Sequence, residues 1–359
     1  MRLIPLIGVL LVALTGAQSS AAALKRVTIA LGSTVLDVSY SNLTLPLTLG
    51  YWRQEGYDVD LQPVGASLQA VQQMVAGNAQ FAQINASAII QSNVENSLPL
   101  RFVMVNGTTD WKISVLASSD IRDVRSLKGK TIGVFSLATG GVALMNSFLA
   151  KNGLNPKTDV SLVPLGLGVA PVEALRTGKV DALLYWGGAT VRFENAGLTL
   201  RKFAPSDWRQ YPDYSLSTMQ KTANADPAMA IAIARGIAKA SVFVIANPEC
   251  AVKLHWARYP ATKPTGAPED TLFKWDLTNL GATISVLSDA FTVNGGKYWG
   301  NVDPDGIARL QDFLQASGLV HGALPPDDYL LRIPDFYQKV NDFDADAVRD
   351  AARKCELPK

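Results

Sequence analysis

The sequence predicts an α/β protein built as two similar lobes, each a mixed, mostly parallel sheet flanked by helices. Three observations carry that expectation. β-Branched runs alternate with helix-type stretches, the pattern of βαβ units. The segment 59–82, VDLQPVGASLQAVQQMVAGNAQFA, lies over 160–183, VSLVPLGLGVAPVEALRTGKVDAL, without a gap. No low-complexity linker separates the two, so the lobes are joined by crossing strands and not strung like beads.

Composition sets the outer bounds. The chain has 359 residues, ample for a sizeable core. Apolar residues make up 48% and charged residues 18%, which excludes a disordered or fibrous chain. Basic residues number 33 and acidic 31, so there is no basic excess of the kind that binds nucleic acid. Two cysteines and two histidines leave little for a zinc site, which wants about four soft ligands. No metal and no cofactor are expected.

The first residues read separately. Met1-Arg2 is a short positive start, Ile4 to Leu14 is an apolar run of eleven, and small residues end in Ala21-Ala22-Ala23. A membrane-spanning helix needs about 20 apolar residues, so this stretch is too short. It fits a secretory signal over residues 1–23. No later apolar stretch is expected to span a membrane. Cys250 and Cys355 then lie in an oxidising compartment, where they either pair and pin the C-terminal helix or remain two thiols.

The mature chain opens with Val27 to Leu31, a β-branched strand. A loop with Ser33, Asp37, Tyr40 and Ser41 leads into a helix that stops before Gly56. Val59 to Val64 alternates as a strand. Gly65-Ala66-Ser67 starts a helix that Gly77 ends, and Phe81 to Ile84 closes the βαβ unit. In the repeat, Val59 matches Val160, Leu61 matches Leu162, Pro63 matches Pro164, and Val71 matches Val172. Gly65 and Gly166 fall at the strand-to-helix turn, Gly77 and Gly178 at the helix end. The second lobe begins near Leu127, with a strand at Thr131 to Phe135, a loop at Ser136 to Gly141 and a helix from Val142 to Lys151. Ile113 to Ala117 reads as a strand crossing between lobes. From about Ser217 helices take over, at Pro227–Asn247, Pro248–Tyr259, Thr271–Ser288, Asp305–Ser317 and Asp344–Cys355.

Nucleophile and nucleotide signatures are absent from the sequence, while its 31 acids leave acid–base carboxylate pairs open. There is no Gly-x-Ser-x-Gly elbow, no Walker-type loop and no dinucleotide fingerprint. His255 and His321 read as surface or capping residues. Binding geometry remains. Open α/β sheets hold ligands beyond the C-terminal ends of their strands. The turns there are rich in Gly, Ser, Thr and Asn, which leave backbone N–H groups at helix starts. Tyr40, Trp111, Tyr185 and Trp186 could stack on a planar ligand. No basic residue sits in these turns, so an anion would rely on backbone dipoles or on a distant Arg such as Arg192. That favours a neutral or weakly charged polar ligand over a sulfate-like one.

Taken in order, several segments resemble a known family. GYWRQEGYDVDLQPVGASLQAVQQMVAGNAQFA is similar to the G-[FY]-[FW]-x-x-E-G-[LY]-D-V start of the NMT1/THI5-like set, the nitrate/sulfonate/taurine-type binding proteins of ABC importers. LKGKTIGV, VEALRTGKVDALLYW and ANPECA resemble later segments of the same family. The likeness runs from about Val27 to Val320. It implies a type II periplasmic-binding-protein fold, with lobe 1 at 24–115 plus 217–359, lobe 2 at 116–215, and a hinge near 115–118 and 213–217. It implies a monomeric, periplasmic protein that closes on one small molecule and delivers it to a membrane permease. Carried onto this sequence, the ligand-contacting turns match Tyr40, Ser67, Asn85, Ser87, Thr139, Gly140, Gly141, Tyr185 and Trp186. An enzyme of the same fold, a pyrimidine- or quinone-precursor synthase, is the competing expectation. The cysteine-rich motif and active-site His of the pyrimidine-synthesising members are missing here.

Overall fold

The computed structural model describes residues 23–355. The signal-peptide expectation falls on residues outside that range. Ten strands are present among the described residues: β1 (Lys25–Leu31), β2 (Tyr57–Pro63), β3 (Phe81–Asn85), β4 (Leu100–Val105), β5 (Lys112–Leu116), β6 (Lys130–Val134), β7 (Val160–Pro164), β8 (Ala182–Tyr185), β9 (Leu200–Phe203) and β10 (Tyr214–Met219). They form two five-stranded sheets, ordered β2-β1-β3-β10-β4 and β7-β6-β8-β5-β9. In each, three strands run parallel and one strand inserts antiparallel beside the third. That antiparallel strand is always the first one after the chain passes from one sheet to the other.

Helices α1 (Ser41–Thr48), α2 (Tyr51–Gln54), α3 (Ser67–Val75) and α4 (Ala86–Asn96) belong with the first sheet, and α5 (Gly140–Lys151), α6 (Val169–Arg176) and α7 (Gly187–Asn195) with the second. The repeat is structural: β2-α3-β3 and β7-α6-β8 are the same unit twice. Gly65 and Gly166 both take positive φ at its turn, 117° and 66°, a backbone that side chains with a Cβ resist.

The sheet boundaries correct the sequence reading. Lys112 to Leu116 is not a crossing strand; it pairs with β8 and β9 inside the second sheet. Tyr214 likewise already pairs with Asn85 in the first sheet. The chain therefore crosses at 106–111 and 204–213, several residues before the expected positions near 115–118 and 213–217. The two crossings lie side by side. The Thr109 N–H donates to the Tyr211 carbonyl at 3.0 Å and the Asp213 N–H to that of Gly107 at 2.9 Å. The alternating run at 112–116 fits either sheet. Only non-local pairing decides its place.

The C-terminal region adds α8 (Gln220–Ala225), α9 (Pro227–Ala246), α10 (Pro248–Arg258), α11 (Glu269–Val293), α12 (Pro304–Ala316), α13 (Phe336–Val340) and α14 (Ala345–Lys354). α9 is long and apolar enough to cross a membrane, which the sequence reading did not anticipate; 72% of its apolar window is buried as the core helix of the first lobe. Cys250 at the start of α10 is bridged to Cys355 at the end of α14, with Cα atoms 5.5 Å apart. His255 is also buried, between Thr44 and Thr262, and is no surface residue.

Candidate functional site

A cavity of about 90 Å³ opens between the lobes, at the C-terminal ends of strands from both sheets. Gly32 follows β1, Asn85 ends β3, Phe135 follows β6 and Trp186 follows β8; all four line it. The crossing segments add Asn106, Thr108, Asp110, Trp111 and Asp213, and α11 adds Thr283 and Val286.

Asp213 organises one wall. It is 5% exposed. Asn85 Nδ2 donates to its Oδ1 at 2.6 Å and Trp111 Nε1 to its Oδ2 at 2.9 Å. Its backbone carbonyl accepts the Ala86 N–H at 2.8 Å, capping α4. Behind Asn85, Ser67 Oγ donates to Asn85 Oδ1 at 2.8 Å and accepts the Asn85 N–H at 3.1 Å. Burial pushes the Asp213 carboxyl up to about 7; the neighbouring Asp110 charge adds to this, while the Asn85 and Trp111 bonds oppose it. Across the cavity, Asp110 Oδ2 accepts the Gly187 N–H at 2.8 Å and so caps α7. Burial raises the Asp110 carboxyl too, opposed by the charge of Lys112.

Aromatic rings complete the lining. Trp186 meets Trp111 edge-on at 5.5 Å and Phe135 at 5.6 Å. Tyr40 and Tyr214 meet edge-on at 5.8 Å on the other lobe.

Of the nine residues expected at the site, Tyr40, Asn85, Thr139 and Trp186 line the cavity. Ser67 stands behind Asn85 and fixes its amide. Gly140, Gly141 and Ser87 belong to the contact between lobes. A Cβ on Gly140 would stand 2.5 Å from Ser87 Oγ and 2.7 Å from Asn85 Cβ, and one on Gly141 would strike the Trp111 ring. Tyr185 does not reach the cavity: its ring packs on Phe193 and its hydroxyl donates to the Gly166 carbonyl at 2.7 Å. Strand alternation explains this, since adjacent residues at a strand end point to opposite faces. Arg192 is committed to Asp37 across the lobes at 2.6 Å.

The sequence reading missed Asp110 and Asp213. Their signal was topological: each precedes the first strand after a crossing, and a crossing passes behind the cleft. Among the described residues no three His, Cys, Asp or Glu side chains are grouped to hold a metal.

A family model described as NMT1/THI5 like matches residues 41–251. No curated protein matches the chain. Solved structures do. The alkanesulfonate-binding protein SsuA from Xanthomonas axonopodis pv. citri, bound to MOPS, is 16% identical with a TM-score of 0.61, covering 87% of this chain and 100% of that one. The periplasmic aliphatic sulphonate binding protein SsuA from Escherichia coli is 15% identical with a TM-score of 0.59, covering 88% and 99%. A Candida albicans protein described as having the generic periplasmic binding protein fold is 12% identical with a TM-score of 0.61, covering 84% and 93%. The likeness in sheet order and lobes is that of a periplasmic-binding-protein fold, and since the family match spans more than half of its length, the chain belongs to the NMT1/THI5-like family.

Proposed function

We propose that this protein is the extracytoplasmic solute-binding component of an ABC importer, a monomer that closes on one small organic molecule and hands it to a membrane permease. The observation that carries this reading is the cavity itself. It is walled by both lobes, which are joined by two adjacent crossings and also meet where α7 packs on α11 and α5 on α4 and α12, an arrangement suited to hinge closure. Ligand would stabilise the closed form by its differential affinity for it. The relatives described as sulfonate-binding proteins support the role, and the apolar N-terminal run supports export to the periplasm. A second reading, an enzyme on this fold, is favoured by one observation: two carboxylates line the cavity.

Native mass spectrometry on gently purified mature protein, followed by a thermal-shift screen, separates the two. One bound small molecule per chain, and a melting temperature that rises with ligand as binding linkage demands, are expected. Consumption of that molecule on incubation would move the enzyme reading to first place.

A further inference from the structure

The charge of the cavity points away from the ligands that the relatives' descriptions name. No Lys, Arg or His lines it among the described residues, and two carboxylates do. Nearby cations are spoken for. Arg192 is paired with Asp37, Arg209 is paired with Asp289, and Lys112 Nζ bonds the Asp110 backbone carbonyl at 3.0 Å. Helix starts, the other means of holding an anion, are engaged at their leading N–H groups. The first N–H of α4 is taken by the Asp213 carbonyl and the first N–H of α7 by the Asp110 carboxylate. The start of α5 is packed against Asn85, Ser87 and Trp111.

The lining keeps acceptor capacity, beside the unpartnered hydroxyl of Tyr214. Asp110 Oδ1 has no hydrogen-bond partner among the described residues, whereas Oδ2 is used. Thr108 lines the cavity, is 2% exposed, and its hydroxyl is unpartnered. Facing these acceptors, Trp186 and Tyr40 offer ring faces or edges to a flat or compact frame. The Asp110 carboxylate, which forms no ion pair among the described residues although Lys112 lies nearby, would gain by admitting a positive charge and would repel a negative one.

We infer that the cleft takes an organic cation, a small molecule bearing a protonated amine or amidinium nitrogen that bonds Asp110, with its apolar part against Trp186. This rests on the solute-binding reading and deepens it.

The test uses two matched probe series on the mature protein, unfolded and refolded to strip co-purifying ligand. One series is benzamidine, benzamide, benzoate and benzenesulfonate. The other is acetamidine, acetamide, acetate and methanesulfonate. Calorimetric titration should show an amidine binding at least about tenfold tighter than its amide, with no binding of the anions, as a charge-assisted hydrogen bond requires. Asp110→Asn keeps an acceptor for the Gly187 N–H and removes the charge. It should cut amidine affinity about tenfold or more and leave the amide unchanged. The amidine-to-amide ratio in the unaltered protein does not depend on how any variant folds. Tighter binding of a sulfonate, carboxylate or amide, lost in Trp186→Ala, would overturn the cation inference and leave solute binding standing. Binding of no probe would overturn it as well. If the freshly purified protein then also carried no bound molecule, the solute-binding reading would fall with it.

Discussion

The two lobes share a sheet order but build opposite halves of the site. The repeat pairs Asn85 with Trp186 and Ala86 with Gly187. Both pairs sit where the third strand of the parallel set runs into a helix. In the first lobe that position holds an amide locked into the Ser67–Asn85–Asp213 network. In the second it holds an indole fixed by ring contacts alone. The crossing segments treat the lobes alike: an aspartate from each caps the helix that leaves the third parallel strand, Asp213 capping α4 through its carbonyl and Asp110 capping α7 through its carboxylate. One duplicated scaffold thus yields a polar, hydrogen-bonded wall and an aromatic wall. A hydrogen-bonded wall fixes orientation, whereas a ring wall contributes contact area.

The Cys250–Cys355 bridge closes a long loop within the first lobe only. Its reduction should cost about 2–5 kcal/mol and lower the melting temperature. Hydrogen exchange in β6 and β8 should not change. An unchanged melting temperature, or equal loosening of both sheets, would contradict the separation of the lobes.

Asp213→Ala should cost about 2–3 kcal/mol, because it strands the buried Asn85 and Trp111 donors. Asp110→Ala, which releases one helix N–H, should cost about 1 kcal/mol. Denaturant unfolding of both variants checks the order; equal costs would mean the first wall is no more tightly fixed than the second. Asp213 also sets a sign with pH. Its folded carboxyl, held up to about 7, keeps a proton that the unfolded chain has released. The folded state therefore binds more protons between the ordinary carboxylate range and pH 7, and its stability should fall as pH rises through that window. Asp213→Asn should flatten the slope.

Gly140→Val should wedge the lobes apart against Ser87 and Asn85. The radius of gyration in solution scattering should stay at the open value when ligand is added, with affinity down about tenfold through loss of the closed population. Normal closure would show that Gly140 is no part of the interlobe contact. The smallest effect expected is on binding at the aromatic wall. Trp186→Ala should weaken ligand by about 1–3 kcal/mol, while Tyr185→Phe leaves affinity unaltered. A calorimetric loss in Tyr185→Phe would place that ring in the site after all.

How much was legible follows from the range of the forces involved. The repeat, with Gly65 and Gly166 at its turns, is local chemistry: a positive-φ turn and alternating strands are written in a few adjacent residues. Five of the seven helices described after Ser217 were found for the same reason, although α11 extends beyond its expected ends, to Glu269 and Val293, and the short α8 and α13 were not expected. Tyr185 and Trp186 mark the limit of that reading. Their place at a strand end was visible, but which of the two faced the cleft depended on the sheet's pleat.

By itself the sequence determined the two α/β lobes, their duplicated unit and the turns that border the cleft, because each rests on contacts between near neighbours in the chain. Only the tertiary structure decided where the chain crosses, that Cys250 meets Cys355, and that Asp110 and Asp213 enter one cavity. The physical reason is pairing between distant segments. Lys112 to Leu116 joins the second sheet through β8 and β9, more than sixty residues onward, and that choice carries Asp110 to the start of α7.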